Sequence, residues 1–131
     1  MQSSSANRRA LVVDDSMLIR HTVCRFLEDH GCEVESATDG AEALRILERF
    51  RPDIVFTDLD MPKLNGHQLI DALKARLDTL NNPIVVLSAR RSAREPRATF
   101  CMNKDADIHS DLLRVLDATL GRGPAIGKSV L

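Results

Sequence analysis

The chain has 131 residues, which is the size of one ordinary domain, so we expect no second domain with its own core within this length. Apolar residues make up 44% and can form a core, but aromatic residues make up only 3%, which argues against aromatic platforms that stack bases or sugars. With 18 Lys and Arg against 19 Asp and Glu, the net charge of -1 excludes a general positive field for nucleic acid or anionic lipid.

The cysteine pattern and the N-terminus bear on location. Cys24, Cys32 and Cys101 are scattered and form no C-x-x-C pair, which is more typical of a reducing compartment than of a disulfide framework. The sequence has no apolar run near the roughly 18 residues of a membrane span, and residues 1–9 lack the apolar region of a signal peptide. We therefore expect a cytoplasmic protein that does not contact membranes.

The first half of the chain predicts two strand–helix units. Residues 10–13 are a short apolar run, typical of a strand buried on both faces. Apolar residues then recur at helical spacing, with Ser16 as the N-cap and Gly31 as the stop. A weaker strand at 33–36 precedes a second helix that Pro52 is expected to end.

The second half repeats the alternation. Apolar runs at 54–57 and 83–88 predict the third and fourth strands, and 99–103 is a weaker candidate for the fifth. Helical patterns begin at Gly66 and span 108–120. Because parallel strands need right-handed crossovers, this order predicts an α/β fold, a doubly wound five-stranded parallel sheet with helices on both faces.

Polar side chains follow four of the predicted strands. Asp14 and Asp15 come after the first strand, Asp58 after the third, Ser88 after the fourth and Lys104 after the fifth. Ligands of doubly wound sheets bind at the carboxyl ends of the strands, so we expect these side chains to meet. One such aspartate is commonly a cap or turn residue, but three carboxylates together favour a hard divalent cation such as Mg²⁺.

Three segments resemble the receiver domains of two-component response regulators, including single-domain chemotaxis regulators. They are the acidic pair within 11–16, the D-x-x-M-P-x-x-x-G element within 53–66, and the strand and hydroxyl within 83–89. The resemblance covers about residues 10–120. It implies a flavodoxin-like receiver fold with strand order 2-1-3-4-5.

The domain boundaries expected from this resemblance are simple. The receiver domain occupies 10–120, after a disordered N-terminal lead at 1–9 and before a flexible C-terminal tail at 121–131. No effector domain is expected, so output would occur through protein contact. A receiver excised from a longer protein, such as a hybrid kinase, is equally compatible with the Gly-rich tail.

The resemblance also implies the chemistry. Asp58 would accept a phosphoryl group from a phosphohistidine on a histidine kinase or phosphotransfer protein. Mg²⁺ would be bound by Asp15, Asp58 and the backbone carbonyl of Asp60, with Asp14 acting mainly through a water. Such a domain is a regulatory phosphoacceptor that assists its own phosphorylation and dephosphorylation, not an enzyme.

Two further side chains and the partners follow from the same resemblance. The Ser88 hydroxyl and the Lys104 ammonium would hold the phosphoryl oxygens. The partners would be a phosphodonor protein and a downstream protein target, with no direct contact to nucleic acid, and the domain would be a monomer or weak dimer.

The chain departs from the family pattern between Ser88 and Lys104, which are only 16 positions apart. The helix between the fourth and fifth strands, the family's fourth helix, is therefore expected to be short or missing, with an arginine-rich loop at 90–97 instead. The family's aromatic switch position falls on Cys101. Either Phe100 replaces it after a shift in register, or the usual coupling is absent and the arginine-rich loop reports the state.

Two other classes of function remain open. The first is a phosphorylation-independent interaction module that keeps the receiver fold. The second is a hydrolase of the haloacid dehalogenase type, because Asp58 and Asp60 form a D-x-D pair after a strand. Met61-Pro62 and the absence of room for a cap domain argue against the hydrolase.

Overall fold

The structure is a computed structural model, and it describes residues 8–59, 66–76, 83–88, 99–104 and 108–119. The strands are β1 Arg8–Val13, β2 Cys32–Ala37, β3 Ile54–Asp58, β4 Ile84–Ser88 and β5 Phe100–Asn103. The helices are α1 Met17–Asp29, α2 Gly40–Ile46, α3 Gly66–Arg76 and α4 Ile108–Ala118.

The five strands form one parallel sheet in the order β2-β1-β3-β4-β5, which confirms the predicted doubly wound fold. Four helices are present in the described residues, a number that fits a short fourth helix of the family. Residues 89–98, to which that prediction refers, are outside the described ranges. In the described part of the chain, no helix is long and apolar enough to cross a membrane.

The core has two halves because successive strand residues point to opposite faces of the sheet. One half packs against α2 and α3, and its strand residues include Leu11, Val13, Val55 and Val86. The other packs against α1 and α4, and its strand residues include Ala10, Val12, Phe56 and Leu87. Burial on both faces explains why the central strands are continuous apolar runs rather than alternating ones.

The ends of the first two helices differ in how well the sequence predicted them. α1 begins where expected, with the Ser16 side chain accepting a hydrogen bond from the Ile19 amide, and Gly31 follows its end with a φ of 87°. α2 ends at Ile46 instead of continuing toward Pro52, so that prediction was wrong. After Ile46 the backbone tightens into a turn, yet Phe50 still reaches the core.

Candidate functional site

Three of the predicted carboxylates meet at the carboxyl ends of the strands. Asp14, Asp15 and Asp58 each offer a carboxylate oxygen, and these oxygens lie within 4.8 Å of one another. The parallel register produces this meeting, because Val13 pairs with Thr57 and the next residue of each strand then lies at the same edge. Asp14 and Asp58 are buried, whereas Asp15 is exposed.

Lys104 places a positive charge between the two buried carboxylates. Its Nζ lies 2.7 Å from Asp14 Oδ2 and 3.2 Å from Asp58 Oδ2, and its side chain is only 12% exposed. The Lys104 amide donates a 2.8 Å hydrogen bond to the Ser88 carbonyl, which continues the β4–β5 pairing and sets the position of the lysine.

The ionisation of Lys104 reflects two opposing influences. Burial acts to lower its pKa, but the hydrogen bond from Lys104 to Asp14 and the negative charges of Asp14 and Asp58 outweigh burial. The pKa of Lys104 is therefore raised above its ordinary value. The lysine remains a cation at neutral pH.

The carboxylate of Asp14 has two different environments. Oδ1 accepts a 2.8 Å hydrogen bond from the Ser16 amide. Oδ2 is buried, and among the described residues its polar contact is the 2.7 Å ion pair with the Lys104 ammonium. A buried carboxylate oxygen with an unfilled acceptor position beside two further carboxylates suits a hard cation with oxygen ligands, so the donor set fits Mg²⁺.

The remaining predicted residues fall into two groups. Ser88 is buried at the end of β4, one residue after Leu87, which pairs with Asp58. The structure thus brings Asp14, Asp15, Asp58, Ser88 and Lys104 to one edge of the sheet. Asp60 and Met61-Pro62 lie outside the described residues, so the backbone carbonyl predicted as a ligand stays a prediction.

Arg20 is a residue at this edge that sequence reasoning missed. Its Nη1 donates a 2.8 Å hydrogen bond to the main-chain oxygen of Asp14. The only sequence signal is its position, because a long basic side chain one turn into a helix can reach the loop before that helix. That signal identifies a possible donor but not its acceptor.

The β5 strand bears on the two explanations for the switch position. Phe100 is half-buried and packs into the core half that faces α1 and α4, together with Met102. Cys101 is exposed and points to the other face, and the pairing of Ser88 with Asn103 shows no shift that would exchange them. The continuous β4–β5 pairing gives the register-shift explanation no support, and the loop at 90–97 of the second explanation lies outside the described residues, so that explanation stays a prediction.

Comparison with known proteins assigns the family. The sequence pattern of the response regulator receiver domain matches residues 10–109. The chain belongs to this family. Receiver domains are regulatory phosphoacceptor domains rather than enzymes that turn over a substrate, and in general they interact with histidine kinases and downstream targets.

Two curated relatives differ in how much of their own length the match covers. Protein PilG of Pseudomonas aeruginosa is 34% identical over 90 residues, which cover 69% of this chain and 67% of PilG. Response regulator MprA of Mycobacterium sp. strain KMS is 44% identical over 87 residues, which cover 66% of this chain but 37% of MprA. The matched region is thus well under half of the length of MprA.

Solved structures agree with the fold. Response regulator TrrA of Thermotoga maritima, determined in complex with Mg²⁺ and BeF, superposes with a TM-score of 0.73 at 26% identity. The superposition covers 82% of this chain and 96% of TrrA.

Proposed function

We propose that this receiver domain accepts a phosphoryl group on Asp58 from the phosphohistidine of a histidine kinase or phosphotransfer protein. The observation that carries the proposal is the buried Asp58 carboxylate within 4.8 Å of two further carboxylates and 3.2 Å from Lys104. The phosphorylated domain then switches its contacts with a downstream protein. Membership of the family and the donor set that fits Mg²⁺ support this assignment.

The transfer exchanges one phosphorus bond for another. An oxygen of Asp58 forms a bond to phosphorus while the bond from phosphorus to the histidine nitrogen breaks, and the histidine leaves with its electron pair. Bound Mg²⁺ would neutralise negative charge on the carboxylates and on the phosphoryl oxygens. Asp14, Asp15, Asp58 and the carbonyl of Asp60 would hold it.

Lys104 and Ser88 serve the transferred group. The protonated Lys104 ammonium, now 3.2 Å from Asp58 Oδ2, pairs with a phosphoryl oxygen once Asp58 carries the phosphoryl group as an acyl phosphate. The Ser88 hydroxyl donates a hydrogen bond to a second phosphoryl oxygen. These donors stabilise the charge that spreads over the phosphoryl oxygens during transfer, and they favour the phosphorylated state of the domain.

The setting of the domain is part of the same proposal. We place it in the cytoplasm, as the scattered cysteines suggest, as a monomer or weak dimer that acts through protein contacts. The domain spans 10–120. A receiver within a longer protein, such as a hybrid kinase, is the alternative that the partial coverage of MprA favours, and the intact mass of the endogenous protein distinguishes the two.

Phosphorylation by acetyl phosphate tests the proposal, with intact mass and site mapping as readouts. We expect one Mg²⁺-dependent phosphoryl group on the wild type and at least 100-fold less on Asp58→Asn. Asp53→Asn is the matched control, because Asp53 lies at the opposite end of β3, where it accepts a hydrogen bond from the Arg9 amide. It should be labelled like the wild type.

Other results would support the competing functions. The absence of any Mg²⁺-dependent adduct on the wild type would favour the phosphorylation-independent interaction module. Repeated turnover of a small phosphomonoester, lost in Asp58→Asn, would favour the hydrolase.

A further inference from the structure

Arg20 connects α1 to the loop that carries the acidic pair. It is half-buried, and its Nη1 lies 2.8 Å from the main-chain oxygen of Asp14. A guanidinium that donates to a backbone carbonyl contributes no ligand to a cation. Its effect must pass through the peptide that it holds.

The held peptide joins Asp14 to Asp15. Because a peptide group is planar, fixing the carbonyl oxygen of Asp14 also fixes the direction of the Asp15 amide and hence where the Asp15 side chain leaves the backbone. Asp15 is the exposed member of the carboxylate cluster. It therefore has the most freedom to lose when a cation binds.

Two local hydrogen bonds fix the loop between β1 and α1 and the backbone of Arg20. The Ser16 amide donates to Asp14 Oδ1 at 2.8 Å, and the Arg20 amide donates to the Ser16 carbonyl at 3.0 Å. The backbone of Arg20 is thus fixed in the first turn of α1, while its side chain returns to Asp14. The loop between β1 and α1 is therefore held by the Ser16 amide at the Asp14 side chain and by the Arg20 side chain at the Asp14 carbonyl.

We propose that Arg20 is a positioning residue for the divalent cation site, which orients the Asp14–Asp15 peptide so that the Asp15 carboxylate is placed for metal binding before the metal arrives. This inference rests on the proposed function, because it assumes that the cluster binds Mg²⁺. Residues that orient metal ligands without touching the metal commonly change the affinity by 10- to 100-fold.

The charge of Arg20 alone predicts the opposite change in Mg²⁺ affinity when Arg20 is removed. Arg20 carries a positive charge close to the carboxylates, so removing it should strengthen the binding of a divalent cation if its charge were its only influence. Positioning predicts weaker binding. The direction of the change therefore separates the two roles.

Mg²⁺ titration by calorimetry provides the test, since the chain has neither Trp nor Tyr to report binding by fluorescence. We expect Arg20→Met to weaken Mg²⁺ binding about 10-fold, and Arg20→Lys, which keeps a charge and a donor, to recover part of the loss. Arg25→Met is the matched control. Arg25 lies on the same helix with an exposed side chain paired to Asp29 at 3.6 Å, so its variant should stay within about 2-fold of the wild type.

Two additional measurements separate positioning from general stability and from the proposed function. Without Mg²⁺, the backbone amide resonance of Asp15 should shift in Arg20→Met while urea unfolding shows a folded domain. If Arg20→Met does not fold, Arg20→Lys must still bind Mg²⁺ more weakly than the wild type. Unchanged or tighter binding by the Arg20 variants overturns the inference alone, whereas a wild type that binds no Mg²⁺ overturns the proposed function as well.

Discussion

The edge of the sheet that carries the carboxylates and the β5–α4 side of the molecule are built differently. At the carboxylate edge, Asp14 is fully buried, Asp58 is 5% exposed, and Lys104 contacts both. On the β5–α4 side, Cys101 is exposed beside a cavity of about 320 Å³ between the strand and the helix. The first region brings Asp14, Asp58 and Lys104 together as the sequence predicted, whereas the second has Cys101 at the position where the family resemblance implies an aromatic side chain. If the proposed function holds, the phosphoacceptor site keeps the expected side chains while the β5–α4 side departs from them.

Removal of Lys104 is the strongest test of the first region. Lys104→Met would leave two buried carboxylates without their cation, and we expect a loss of about 3 kcal/mol in the free energy of unfolding when Mg²⁺ is absent. Mg²⁺ should restore part of this loss. Urea unfolding in a chelator and in Mg²⁺ measures both effects.

Lys74→Met is the control for that experiment, because Lys74 is an exposed lysine near the C-terminal end of α3. Its unfolding free energy should change by no more than about 0.5 kcal/mol. An equally stable Lys104→Met protein in the chelator would mean that the ion pair does not hold this edge together.

Truncation of β5 side chains tests the second region. Phe100 is half-buried in the core half beneath α1 and α4, so Phe100→Ala should lose about 2 kcal/mol, less than a fully buried phenylalanine. Cys101→Ala should lie within about 0.5 kcal/mol of the wild type, since the thiol is exposed. Equal losses in the two variants would contradict the assignment of Phe100 and Cys101 to opposite faces.

Thiol labelling tests the exposure of Cys101 on β5 against a half-buried thiol, Cys24 on α1. Burial, followed by the charge of Glu28, raises the pKa of the Cys24 thiol to about 11. At pH 8, only roughly one Cys24 in a thousand is then a thiolate, so iodoacetamide should modify the exposed Cys101 far faster. Labelling of Cys24 should increase as the pH rises toward 11, and peptide mapping that finds Cys24 modified first would contradict this environment.

The sequence predicted the sheet and most of the cluster because both depend on local patterns. Apolar runs that end in Asp14 and Asp58 identify strand ends, and parallel strands bring those ends together. Lys104 was expected at this edge because it follows the fifth predicted strand. Its contacts with both carboxylates required the β4–β5 register.

Other features depended on geometry that has no sequence signature. The apolar spacing that continues to Phe50 predicted a longer α2, but the backbone tightened after Ile46 while the side chain kept its place in the core. The face occupied by Phe100 depends on the register of a four-residue edge strand. The bond from Arg20 to the Asp14 carbonyl depends on the path of a flexible side chain.

Fluorine NMR with beryllofluoride tests the central claim most directly. We expect bound fluoride resonances only when Mg²⁺ and beryllofluoride are both present, and their loss in Asp58→Asn but not in Asp53→Asn. Bound fluoride in Asp58→Asn, or in the wild type without Mg²⁺, would contradict the assignment of Asp58 as the acceptor in a magnesium-dependent site.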